Sequence, residues 1–135
     1  MKKLLIDTNI IIDLLAKREP FYQEAQELFT LADEKSLSLF ISALSFANTH
    51  YILARHLKAD AARKILIKFK TLVEVLPFDD KVLELALASD FNDLEDAIQY
   101  YTALDNKIEI IITRNKKDLK KSKISILTAK EYLNR

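Results

Sequence analysis

Three groups of hard oxygen ligands punctuate this chain. Asp7-Thr8-Asn9 follows the apolar run Leu4-Leu5-Ile6, Thr113-Arg114-Asn115 follows Ile110-Ile111-Ile112, and Asp93-Leu94-Glu95-Asp96 opens an amphipathic stretch between them. With cysteine absent and His50 and His56 the only imidazoles, these carboxylates, amides and hydroxyls suit Mg²⁺ or Mn²⁺ better than zinc. Such an ion lowers the pKa of bound water and polarises a phosphodiester, so phosphodiester hydrolysis by acids plus metal is the reaction class implied. Each group also has a plainer reading. Acids are favoured in the first turn of a helix, Asn92 with Glu95 matches a capping box, and Asp7-Thr8-Asn9 suits a helix start. A cap, however, does not require a buried strand to deliver it.

The elements that must position these groups follow from the apolar pattern. Short β-branched runs read as buried parallel strands, at Lys3 to Asp7, Leu37 to Ile41, Val73 to Leu76, Ile108 to Thr113 and Ile124 to Leu127. Helices are expected over Ile10 to Ala16 and from Pro20 onward, where Phe21, Ala25, Leu28, Phe29 and Ala32 recur at helical spacing. Others run from a Ser42 cap to near Leu57, over Asp60 to Lys70, from an Asp79 cap over Val82 to Ala88, through Ala97, Ile98, Tyr101 and Leu104, and from Ala129 to the end. Strand alternating with helix implies βαβ units, a mainly parallel sheet and helices on both faces, in one domain spanning residues 1–135. Open sheets of this kind place ligands just beyond the carboxyl ends of their strands, where Asp7 and Thr113 fall.

Composition removes several function classes. Without glycine the chain can build neither a Walker loop nor a dinucleotide fingerprint, and Asn92, Asn106 and Asn134 become the candidates for left-handed backbone. Without cysteine there is no disulfide framework and no thiol nucleophile. Ser42 and Ser45 lack a base partner for a hydrolase triad, and the two histidines stand six apart, neither ligand nor dyad spacing on a helix. No run approaches the roughly 20 apolar residues of a membrane span, and Asp7 cuts short the signal-like start, so a cytoplasmic protein with no membrane association is expected. The net charge of +1 means that any grip on nucleic acid must come from a local patch.

Leu5-Ile6-Asp7-Thr8-Asn9, Ile41-Ser42-Ala43-Leu44-Ser45, Asp93-Leu94-Glu95-Asp96-Ala97-Ile98-Gln99 with Ala103, and Ile111-Ile112-Thr113-Arg114-Asn115-Lys116-Lys117-Asp118 resemble, in order and spacing, the PIN domain family of VapC-like toxin ribonucleases. The resemblance spans nearly the whole chain. It implies a three-layer α/β/α fold, a Mg²⁺- or Mn²⁺-dependent ribonuclease acting on RNA, and, for small members, a protein antitoxin that covers the acidic cleft. By position Asp7 is the first metal-binding acid and Asp96 the third, and the Thr113 hydroxyl positions water or phosphate. The chain departs from the pattern at two places: Asn48 stands where the family usually has a glutamate, and Asn115 where it has its fourth acid. Asp118 and Asp93 are the nearby acids able to substitute. Two missing charges predict weak metal binding, although Mg²⁺ commonly uses only one or two carboxylates plus substrate phosphate and water.

Arg114, Lys116, Lys117, Lys120, Lys121 and Lys123 form the one dense basic run. It is either a solvated turn or the cationic surface that holds RNA beside acids that would otherwise repel it. A homodimer would be favoured by apolar surface on Phe21, Tyr22 and Phe29 if those side chains are exposed. Two rival functions remain. One is a catalytically impaired PIN scaffold that binds RNA or a protein without cutting, as Asn48 and Asn115 suggest. The other is phosphoryl transfer through an Asp7 phosphate in the manner of haloacid-dehalogenase-like enzymes, a resemblance that fails where Asn9 replaces the expected second aspartate.

Overall fold

Leu4, Leu5, Ile6, Ile111 and Ile112 are wholly buried because their strands are covered on both faces. The computed structural model describes residues 1–116 and 123–134. Its strands are β1 (Lys2–Ile6), β2 (Leu37–Ser42), β3 (Glu74–Leu76), β4 (Ile110–Ile112) and β5 (Ser125–Leu127). All neighbours pair in parallel, in the order β3-β2-β1-β4-β5. Between and after them lie α1 (Thr8–Leu15), α2 (Tyr22–Asp33), α3 (Ala43–Ala54), α4 (Ala59–Phe69), α5 (Asp80–Ala88), α6 (Leu94–Asp105) and α7 (Ala129–Leu133).

Alternation along each strand divides the core. Leu4 and Ile6 join Leu39, Ile41, Ile110 and Ile112 on one face, packed by α1, α2, α3, α4 and α7. Leu5, Phe40 and Ile111 turn the other way onto Tyr100 and Ala103 of α6, which α5 covers through Val82 and Ala86. The result is the three-layer α/β/α architecture with a wholly parallel sheet. The chain leaves β1 in one direction through β2 to β3, then crosses back to β4 on the other side of β1. Strand order therefore reverses between β1 and β4, opening a crevice at their carboxyl ends.

Several local expectations change. Among the described residues those at positive φ are Lys17, Lys35 and Lys107, at the ends of α1, α2 and α6, and not the asparagines. Asn106 is itself the C-cap of α6, at φ −106°, with its Nδ2 donating to the Thr102 carbonyl, and Asn134 likewise stays at negative φ. The left-handed step comes one residue beyond the cap, where an exposed lysine also complements the negative helix terminus. In α3 the buried positions are Ser45, Thr49 and Leu53, whereas Tyr51 is exposed. Small hydroxyl side chains allow close approach there, with Thr49 bonded to the Ser45 carbonyl and Ser45 bonded by Gln99. Leu104 is exposed, and Phe29 is buried edge-on against Phe69, so Phe29 offers no surface to a second copy. Among the described residues no helix is long and apolar enough to cross a membrane.

Leu5 and Ile111 are register partners on the α6 face, both without solvent exposure. Ile111→Ala is expected to cost about 2–5 kcal/mol in denaturant unfolding, whereas Leu104→Ala on the exposed side of α6 stays within about 0.5 kcal/mol.

Candidate active site

Asp7 is the residue at which β1 becomes α1, and its backbone conformation is extended as a cap requires. Its Oδ1 accepts the Thr8 N–H at 2.7 Å, its Oδ2 accepts the Thr113 hydroxyl at 2.7 Å and the Asn9 side-chain amide at 3.4 Å, and its own N–H bonds the Ile112 carbonyl. The cap and site readings of Asp7 thus coincide in one side chain. Thr113, fully buried, aims its hydroxyl proton at Asp7 while its oxygen accepts the Asn115 N–H at 3.1 Å.

The second acidic group comes from α6. Asp93, not Asn92, is the cap, its Oδ1 accepting the Asp96 N–H at 3.1 Å, so the expected Asn92–Glu95 capping box is not the one used. Asp96 is buried in the first turn, at the positive end of the helix dipole. Asn48 of α3 donates its amide to Glu95 Oε1 at 3.3 Å. Asp7, Asp93, Glu95, Asp96 and Asn115 line one open cleft of about 270 Å³, with Thr8, Asn9 and Arg18.

The electrostatics of this cleft are unfavourable for bare carboxylates. Burial raises the pKa of Asp7 above its ordinary 3.8, Asp93 adds repulsion, and the bonds from Thr113 and Thr8 oppose both. Glu95 is raised as well, by burial first and then by Asp93 and Asp7, against the Asn48 bond. A hard cation relieves this strain, and the oxygen donors present fit one. Among the described residues no three acids or imidazoles are grouped closely enough to hold an ion on their own. The donor set therefore fits an ion held by two carboxylates, with water and substrate oxygens completing its shell.

The other candidates lie apart. Arg114 turns from the cleft to a buried Asp13, and Lys116 pairs with Glu131 of α7 at 3.0 Å. Lys117 and Asp118 lie outside the described residues. Tyr100 and Tyr101 pack with Phe91. A larger cavity of about 450 Å³, between Phe21, Ala25, Ala129 and Arg114, gathers no comparable set of acids, and we assign the chemistry to the smaller cleft. Sequence reasoning did not select Glu95 or Arg18 as site residues. Glu95 stood within a motif but was read as a capping partner. Arg18 reaches the cleft because Lys17 adopts φ 52° and folds the chain back, a reversal with no signal in apolar periodicity.

Acids and an amide thus gather at the switch point of a parallel three-layer sheet, which places the chain among α/β proteins with a site at the carboxyl ends of the strands. Residues 3–117 match the family model of the PIN domain, and the chain belongs to that family. It is 24% identical to Ribonuclease VapC1 of Aquifex aeolicus over 139 residues, an alignment covering 99% of this chain and 95% of the relative. Its fold is similar to a toxin–antitoxin complex from Klebsiella pneumoniae, with a TM-score of 0.70 and 24% identity over 93% of this chain and 97% of the other. It is also similar to VapC20 of Mycobacterium tuberculosis, a toxin that cleaves the sarcin–ricin loop, with a TM-score of 0.63 and 19% identity over 80% and 86% of the two chains.

Because the native pKa of Asp7 lies above its unfolded value, the native state keeps the proton across the intervening window and loses stability as pH rises through it. Above the native pKa the charged carboxylate opposes folding of the metal-free chain. Asp7→Asn is therefore expected to raise the thermal midpoint without divalent ions at about pH 7, with the gain gone near about pH 3, where both states are protonated. Calorimetric melts at the two pH values measure this.

Proposed function

We propose that this protein is a Mg²⁺- or Mn²⁺-dependent ribonuclease and the toxin of a toxin–antitoxin pair. The observation carrying this reading is the convergence of Asp7 from the end of β1 and Asp96 from the start of α6 on one cleft, with Thr113 bonded to Asp7. Family membership and the ribonuclease named among its relatives support it. Asp7 and Asp96 would hold the ion, and the chemistry it would supply there is polarisation of an RNA phosphodiester and activation of water. Thr113 holds the Asp7 carboxylate in one orientation, leaving Asp7 Oδ1 and Oδ2 fixed by the Thr8 and Thr113 bonds. Asn115, at the rim, offers an uncharged oxygen where the family has an acid. Asp93 and Glu95 add negative potential that would retain the cation.

Among the described residues Arg18 is the cation lining the cleft, and in this reading it would meet the phosphate backbone. Lys116 and Lys117 are the further phosphate-binding candidates read from the sequence, and their loss would weaken RNA binding through the phosphates. The toxin–antitoxin complex among the similar structures supports a protein antitoxin as the partner that silences the cleft. The second reading, an impaired PIN scaffold that binds RNA without cutting, is favoured by one observation: Asn48 spends its amide on Glu95 and brings no charge of its own.

Cleavage of structured and unstructured RNA with Mn²⁺ separates the two. Asp7→Asn is expected to reduce the rate by more than about a hundredfold, beyond the usual effect of outer-shell changes, whereas identical traces would leave the scaffold reading. In calorimetric titration, Asn48→Glu is expected to bind Mn²⁺ about tenfold more tightly by adding a carboxylate at the cleft. Equal affinity would place Asn48 outside the metal's influence.

A further inference from the structure

Asp13 is 1% exposed, lies outside the acidic cleft and does not cap α1, yet it holds two arginines. Arg114 engages it through Nε at 2.8 Å and Nη2 at 3.1 Å, and Arg18 Nε lies at 3.2 Å. The Arg114 guanidinium also covers the Phe21 ring, 4.0 Å from its centroid. Carboxylate, fork and aromatic face together hold Arg114 in one geometry. A buried ion pair is weak evidence for stability, because well-packed apolar side chains serve as well, so its use here calls for another reason.

Resting on the ribonuclease reading above, we propose that the Asp13–Arg114 pair is a positioning device. It clamps the segment after β4 to α1 and thereby sets Thr113 against Asp7, so that Arg114 acts through Thr113 and not as a phosphate contact. Arg114 lies between the two residues whose placement matters: Thr113, which donates to Asp7, and Asn115, whose N–H the Thr113 oxygen accepts. A second route runs through the backbone. The Arg114 N–H reaches Asn9 Oδ1 at 3.5 Å, and Asn9 in turn donates to Asp7 Oδ2. Arg18 shares Asp13 Oδ1 with Arg114 and also lines the acidic cleft, so one buried carboxylate ties together α1, the cleft cation and the segment carrying Thr113. The basic run read from sequence thus divides, with Arg114 committed inward and Lys116 outward to Glu131.

The test compares Asp13→Asn, Arg114→Gln, Arg114→Lys and the double change Asp13→Asn with Arg114→Gln, by steady-state RNA cleavage at several salt concentrations and by amide hydrogen exchange of RNA-free protein. The expected result for Arg114→Gln is a fall in kcat of about tenfold or more, with KM for RNA and its salt dependence unchanged. The double variant should lose no more than the worse of its single changes, because the pair acts as a unit. Exchange at the Arg114 and Asn115 amides should accelerate while β2 keeps its protection. A raised KM and flatter salt dependence with kcat intact would make Arg114 a phosphate contact and overturn the proposal, as would unchanged exchange. If Arg114→Gln does not fold, Arg114→Lys keeps a positive charge beside Asp13 while losing the fork, and its kcat-against-KM split decides the same point. Should the wild type cleave no RNA, the exchange result still decides the clamp and only the ribonuclease reading falls.

Discussion

The parallel pairing of β1 with β4 is the constraint on which the site depends. Register sets Leu4, Leu5 and Ile6 against Ile110, Ile111 and Ile112, and the ladder continues one step as the Asp7 N–H bonds the Ile112 carbonyl. That step brings residues 106 apart in sequence to 2.7 Å, hydroxyl to carboxylate. Burial of the apolar runs on both faces supplies the energy, and a one-residue slip would reverse every side chain between the two cores. The carboxylate is thus placed by hydrophobic packing, which is insensitive to its charge.

Electrostatics work against the same arrangement. Asp7 and Glu95 are both pushed toward the neutral form by burial and by neighbouring acids, and hydrogen bonds from Thr113, Thr8 and Asn48 only partly offset this. A site in which packing holds acids together against their repulsion favours a cationic ligand, and the cationic side chain at the cleft, Arg18, reaches it from the end of α1. The two amides, Asn48 and Asn115, carry no charge and so add nothing to that repulsion.

A chain without glycine must still end its helices. Lysines supply the left-handed residues at the ends of α1, α2 and α6, a conformation that ordinarily costs an L-residue about 1–2 kcal/mol. At Lys17 the resulting reversal has a structural consequence beyond the turn, since it returns Arg18 toward Asp13 and the cleft. Backbone strain and cation placement are linked at that one position.

The strand–helix alternation, the parallel sheet and the places where Asp7, Thr113 and Asp96 would emerge were readable from the sequence. Buried strands announce themselves as unbroken β-branched runs, and caps such as Ser42 and Asp79 act within three residues of chain. The same locality explains the misses: Asn92 and Asp93 have equally good capping side chains, and the structure uses Asp93. Burial of Ser45 and Thr49 in place of Tyr51, the contact of Asn48 with Glu95, and the turning of Arg114 from the cleft to Asp13 were decided by tertiary structure. Each depends on the distance between elements far apart in sequence, and neither periodicity nor spacing encodes that distance.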